Sequence, residues 1–285
     1  MGIEVIYLIS KGEIVFMDYK ELILNGKSVR EFKEKNIEEK YFNEIKDYIE
    51  NSKKLLPEID IEVKIFDTKE SYENLKNVAG YNGHMIKAPS YAVILSEVKK
   101  GYIENSGYVG ERLILKSRDL GIDSCWVTFN DSNVIKDRLG ITSDKEVTAI
   151  IALGYGENKN SKEKRASERL GVETIVYMDE WGNNATISEL EERYLFEAFS
   201  YARMAPSTLN RQPWRFIIDG GKVVLAVKND DFTNNYERGI DAGIAMLYFG
   251  LIVDTTMFDS KWSVENIDKD YKIPSDYEIV GYCNI

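Results

Sequence analysis

Apolar positions along the chain change their period repeatedly, and each change predicts an element. Met17 to Asn25 reads as a short helix stopped by Gly26, and Lys27 to Phe32 follows as an extended segment. Ile37, Tyr41, Phe42, Ile45, Ile49 and Leu56 keep helical spacing, so a helix is expected from Ile37 to Leu56, ended by Pro57. Ile61, Val63 and Ile65 then alternate, predicting a strand over Ile59 to Phe66. Asn74 to Lys87 is polar and glycine-containing, and Ala88-Pro89-Ser90 leads into a strand from Tyr91 to Ser96. Tyr108 to Leu120 is helical and ends at Gly121; Ile122 to Phe129 is a strand. A short helix near Val134 to Leu139 precedes the strand Val147 to Leu153, which Gly154-Tyr155-Gly156 terminates.

After a charged stretch the pattern starts again. Ile187 to Met204 is a helix, and Ala205-Pro206-Ser207-Thr208-Leu209-Asn210-Arg211-Gln212-Pro213-Trp214 is a loop bracketed by two prolines. Each proline lacks an N–H and disfavours the α region before it, so the helix ends near Ala205 and a strand runs from Trp214 to Ile218. Gly220-Gly221 turns the chain into Val223 to Val227. An apolar helix from Asp241 to Met257, then Phe258 to Val264 and Tyr277 to Asn284, complete the chain. The order of elements therefore occurs twice. Trp126 follows Gly107 by 19 positions, Trp262 follows Gly243 by 19, and each copy closes on a Gly-Tyr pair, Gly154-Tyr155 and Gly281-Tyr282. The expectation is an α+β chain of two degenerate copies, residues 17–157 and 185–285 joined by 158–184, packed as a single-chain pseudo-dimer that is a monomer in solution.

Length and composition fit that layout: 285 residues suit two domains, and 44% hydrophobic with 30% charged residues is a folded composition. A net charge of −11 argues against nucleic acid as a partner. No apolar run approaches the roughly 20 residues of a membrane helix, so a cytoplasmic protein is the expectation. Cys125 and Cys283 make neither a metal-ligand nor a redox pair by spacing, and His84 is the sole histidine, which reads as a loop residue. Lys11-Gly12-Glu13 can be encoded by a ribosome-binding sequence a few codons before Met17. Residues 1–16 therefore stand open between an upstream extension that is not translated and an additional strand.

Within the loop at Ala205 to Trp214, short polar side chains between two prolines suit a planar polar ligand, or an ordinary helix-to-strand connection. Its sequence, with Arg215 and Phe216, resembles the A-P-S-x-x-N-x-Q-P-W motif of the FMN-dependent nitroreductases. Ser28-Val29-Arg30-Glu31-Phe32 resembles that family's R-R-S-x-R-x-F signature, with Gly26 where the first arginine belongs. Asn105-Ser106-Gly107 and the run from Leu120-Gly121 to Trp126 resemble its later helix and G-L-G-(T/S)-C-W strand, so the resemblance covers residues 17–285.

The resemblance implies bound FMN, NAD(P)H as electron donor, and a small-molecule acceptor such as a nitroaromatic or quinone. The flavin carries the chemistry, which fits the lack of a triad or paired-carboxylate motif. Ser28 is implied to hold phosphate, Arg30 to sit near the phosphate or pyrimidine edge, and Lys27 to compensate for Gly26, joined by Lys164 or Arg165. Asn82 is implied as a ring partner, Thr128 and Phe129 as the backbone facing flavin N5, and Pro206, Ser207 and Asn210 as ring contacts from the other copy. Leu55-Leu56-Pro57-Glu58-Ile59-Asp60 stands where the first copy would carry A-P-S, and Asn184-Ala185-Thr186-Ile187 where the second would carry S-x-R. One flavin site survives on this reading. A protein of another class, keeping the fold but storing flavin or binding partners without catalysis, is the alternative; a flavin-fragmenting or dehalogenating enzyme is a third.

Overall fold

The computed structural model describes residues 5–8, 14–157, 168–256 and 258–285. Val5–Leu8 (β1) and Ile14–Met17 (β2) form a two-stranded sheet. The chain beyond them divides into two compact units, one of residues 25–165 and one joining residues 18–24 to 166–285. Helix α1 (Tyr19–Leu24) thus belongs to the later unit, where it packs on the two longest stretches of helix there and Lys20 pairs with Glu197 at 2.6 Å.

In the unit of residues 25–165, α2 (Glu39–Asn51) is followed by β3 (Ile61–Phe66), α3 (Lys69–Leu75), β4 (Ser90–Ser96), α4 (Tyr102–Asp119), β5 (Asp123–Val127), α5 (Ser132–Leu139) and β6 (Glu146–Gly154). The strands form an antiparallel sheet in the order β3-β4-β6-β5. Every residue of β4 is buried, so both faces of the sheet are covered, and its sequence reads as an unbroken apolar run for that reason. Helix α4 packs on β4, β5 and β6, and α2 packs on α4.

Two expectations change here. The helix expected to reach Leu56 stops at Asn51, where the Ser52 hydroxyl donates to Tyr48 O at 2.5 Å and competes with the next turn. Leu55 and Leu56 are buried in the loop that follows rather than on the helix. Helix α4 starts at Tyr102, not Tyr108. Asn105 and Ser106, which resemble an entry signal, lie inside it because buried partners satisfy them: Ser106 Oγ donates to Tyr102 O and accepts from Thr148 Oγ1.

The later unit contains α6 (Val172–Ile175), β7 (Val176–Met178), α7 (Ile187–Glu192), α8 (Phe196–Ala202), β8 (Trp214–Asp219), β9 (Lys222–Lys228), α9 (Asn235–Val253), β10 (Lys261–Ser263) and β11 (Tyr277–Asn284). Its sheet runs β10-β11-β9-β8-β7, with β7 parallel to β8 and the other pairs antiparallel. Strand β7 falls in the stretch that reads as a connection. The helix expected over Ile187 to Met204 is two helices. Leu195 N bonds Leu190 O and Tyr194 N bonds Glu191 O, with Tyr194 at φ 58°, which is the hydrogen-bond pattern of a Schellman stop. Helix α9 also starts earlier than expected, behind a reciprocal cap between Asn234 and Glu237.

The orders β3-β4-β6-β5 and β8-β9-β11-β10 are the same, and α4 and α9 each follow the second strand of their set. Phe199, Phe216, Phe249 and Trp262 tie α8, β8, α9 and β10 into one core, with ring centroids 5.1–5.7 Å apart along the chain of contacts. Among the described residues, no helix is long and apolar enough to cross a membrane.

Candidate functional site

In the unit of residues 25–165, the segment after Gly26 lies along the end of the sheet. Val29 N donates to Ser124 O at 2.9 Å, Lys33 N donates to Tyr155 O at 2.8 Å, and Phe32 bridges to Gly156. This approach requires the glycines of Gly154-Tyr155-Gly156. A Cβ on Gly154 would stand 2.7 Å from Pro89 and 2.8 Å from Phe32; one on Gly156 would stand 3.0 Å from the Asp123 carboxylate, which accepts from Gly156 N. Val29 is half-buried against the sheet, while Lys27, Ser28 and Arg30 are exposed. Burial pushes the Cys125 thiol up, and the Arg30 charge and Ser28 hydroxyl beside it oppose that shift. Ser28 and Arg30 are therefore neighbours of β5.

Asn82 lies in a tight turn. It has φ 50°, Gly83 has φ 78°, and His84 N donates to Tyr81 O at 2.9 Å. The turn is anchored to the far end of the β5 segment, where Gly80 N donates to Thr128 O at 2.8 Å and Ala79 bridges to Phe129. Asn82, Thr128 and Phe129 are brought together. Ser124, where Val29 docks, and Thr128 are four residues apart, about 13 Å along extended chain.

In the later unit, Pro206, Ser207 and Asn210 occupy one loop whose conformation is costly: Leu209, Asn210 and Gln212 all have φ between 51° and 56°. Several bonds hold it. Gln212 N donates to Ser207 Oγ at 2.9 Å, and Thr208 N donates to both oxygens of Asp241 at 3.1 Å. Asp241 is buried on α9, and burial pushes its carboxyl well above the usual range, opposed by the Thr208 N–H and by Arg211. Arg211 pairs with Asp230 and covers the Phe232 ring at 4.5 Å.

Residues 168–170 cross this loop. Arg169 Nη1 donates to Asn210 Oδ1 at 2.7 Å, and Asn210 Nδ2 donates to Glu168 O at 3.1 Å. Gln212 Oε1 accepts from Leu170 N at 2.8 Å, and Arg203 Nη1 donates to Leu170 O at 3.0 Å. Lys164 and Arg165 lie outside the described residues. The motifs assign no role to Arg169, Arg203, Gln212 or Asp241. Gln212 stands inside the motif and Arg169 four residues after Arg165, so both carried a signal; Arg203 and Asp241 are placed by the fold.

A nitroreductase from Thermotoga maritima MSB8, described as "putative", has a similar structure over 93% of this chain and 92% of its own, at 21% identity and a TM-score of 0.56. An "FMN-dependent Nitroreductase" from Clostridium difficile R20291 matches 48% of this chain and 86% of its own (21% identity, TM-score 0.43). A "Putative NADH Oxidase" from Clostridium acetobutylicum matches 48% and 88% (18% identity, TM-score 0.41). No curated protein matches the chain. The fold is that of a nitroreductase-like α+β protein. Within that class, the family model described as "Putative TM nitroreductase" matches residues 18–252, and the chain belongs to that family.

Proposed function

We propose that the chain is an FMN-dependent oxidoreductase that takes electrons from NAD(P)H and delivers them to a small acceptor of the nitroaromatic or quinone class. The observation that carries this reading is the layout along β5. The hydroxyl and guanidinium of Ser28 and Arg30 stand at one end, and Asn82 with the Thr128–Phe129 backbone stands at the other. FMN is elongated in the same sense, with an anionic phosphate at one end and a hydrogen-bonding ring at the other. Ser28, Arg30 and Lys27 suit the phosphate, since charge-assisted hydrogen bonds to an anion are the strong ones. Asn82 offers an amide to the pyrimidine edge, and the backbone at Thr128 and Phe129 offers groups near N5. On the motifs they stand in or near, Pro206, Ser207 and Asn210 are proposed as further FMN contacts and Lys164 and Arg165 as further cations. When bound, FMN supplies the hydride and electron chemistry, so the protein's part is to bind, orient and set the electrostatics.

The two matching strand orders support descent from a duplicated unit. Because Ser28-x-Arg30 occurs only in the first copy and the A-P-S loop only in the second, one FMN per chain is expected. The test is a titration of the purified protein with FMN, followed by NADH and NADPH. Saturation at one FMN per chain and bleaching of the flavin colour by a nicotinamide are the expected results. Protein that stays colourless with excess FMN overturns the proposal. Arg30→Ala is expected to weaken FMN about tenfold or more, the scale of a hydrogen bond to a charged group.

A further inference from the structure

Strands β3 and β8 hold the same place in their sheets, each hydrogen-bonded on one side to the strand that follows it in sequence. On its other side β8 carries β7, which pairs Val176 to Met178 with Phe216 to Ile218. Strand β3 has no such cover: among the described residues, nothing pairs with its outer edge. The usual devices against edge pairing are missing as well. All six residues pair with β4 in one register without a bulge, none is proline, and all are only half-buried. A straight edge of that length is a template for another strand.

The sequence Ile61-Glu62-Val63-Lys64-Ile65-Phe66 says which strand fits. In antiparallel pairing about a two-fold axis at Val63, Glu62 stands opposite the second copy's Lys64, and Lys64 opposite its Glu62. Ile61 then faces Ile65, and Val63 faces its own equivalent. An axis at Glu62 or at Lys64 sets like charges opposite each other, and an axis between residues sets the apolar row beside the charged one. Only the Val63 axis matches both rows. Glu62 and Lys64 already share one face, with Lys64 Nζ 2.6 Å from Glu62 Oε1, so pairing extends one ion pair into four alternating charges. We propose that the outer edge of β3 docks a second copy of this chain, joined antiparallel through β3 about Val63. Lysine on an edge deters pairing where nothing answers its charge; across this axis Glu62 answers it. The seam is short, so the dimer is weak and concentration-dependent. It departs from the monomer expected from the sequence, and it does not rest on the flavin reading.

The experiment measures mass by sedimentation equilibrium over a range of concentrations for wild type, Glu62→Lys, Lys64→Glu and an equimolar mixture of the two variants. Wild type is expected to pass from monomer to dimer as concentration rises. Each variant alone sets like charges opposite each other and is expected to dimerise at least about tenfold more weakly. In the mixture, a strand with two lysines meets a strand with two glutamates, and dimer is expected to return to about the wild-type level. That return separates pairing from folding, because each variant lacks the ion pair within its own strand whether mixed or alone. If a single variant fails to fold, the double exchange Glu62→Lys with Lys64→Glu keeps the ion pair and the two-fold match, and is expected to dimerise as wild type does. Wild type that stays monomeric at every concentration overturns the inference. So does a single variant that dimerises as strongly as wild type, a mixture that dimerises no better than its components, or a folded double exchange that stays monomeric.

Discussion

Both sheets have a loop before their first antiparallel strand, and in both a buried polar side chain from the long helix holds that loop's backbone. In the unit of residues 25–165, Asn105 on α4 accepts from Leu56 N at 3.0 Å and donates to Leu56 O at 3.1 Å. In the later unit, Asp241 on α9 accepts from Thr208 N and has no N–H to give back. Asn105 stands two residues before Gly107 and Asp241 two before Gly243, so the positions correspond. An amide closes a loop completely, with Leu55 and Leu56 turned inward. A carboxylate fixes only the donors and leaves the loop's outer edge to other partners, here residues 168–170. One unit uses the position to seal a loop, the other to present one.

The largest effect is expected where the seal is broken. Asn105→Ala leaves a buried N–H and a buried C=O unpaired and should cost about 3 kcal/mol, read as a lower urea midpoint. The two helix-to-tryptophan contacts come next. A Cβ on Gly110 would lie 2.4 Å from the Trp126 ring and 2.9 Å from Ile94, whereas one on Gly250 meets chiefly the Ser260 hydroxyl at 2.8 Å. Gly110→Ala is therefore expected to cost about 2 kcal/mol and Gly250→Ala less than about 1, because a serine rotates more easily than a packed indole. Equal costs would show that the two contacts are equivalent.

Asp241→Asn tests the carboxylate directly. The folded state holds the Asp241 proton more tightly than the unfolded chain, whose carboxyl titrates near 3.8. Its contribution to stability is full below about pH 3.8 and is lost as pH rises through the elevated folded pKa. The asparagine variant should thus gain about 1 kcal/mol over wild type at neutral to alkaline pH, and that gain should vanish on acidification. A gain independent of pH would mean that the carboxyl is not the source. The smallest effect concerns a helix stop. Tyr194 is 73% exposed at φ 58°, so Tyr194→Gly should stabilise by about 0.5–1 kcal/mol in a melting experiment.

That residue also shows what the sequence could reveal. The stop after α4 uses the same two hydrogen bonds as the stop after α7, with Gly121 at φ 75° in the critical position. Glycine announces the turn and tyrosine hides it, so one boundary was legible and the other was read through as continuous helix. Strands β4, β6, β8 and β9 were legible because burial on their faces leaves few polar positions. Helix α3 buries only Ser71 and Leu75, too few positions to register as a pattern. One reason hides the true starts of α4 and α9 in the sequence: Asn105 and Asp241 look like entry residues but bond to distant loops. At the candidate site the motifs pointed to Ser28, Arg30 and the proline-bracketed loop, while Arg203 and Asp241 depend on partners 33 residues away in each case.

The membership of α1 in the later unit carries a consequence for synthesis. Tyr19–Leu24 is made before every other helix of its unit, yet the helices it packs on, α8 and α9, are the last two made. Residues 25–165 can close on themselves meanwhile. At about 5–20 residues per second, α1 waits roughly 10–50 s for α9, with its buried face of Tyr19 and Ile23 unmatched. The later unit is therefore completed across time as well as across sequence.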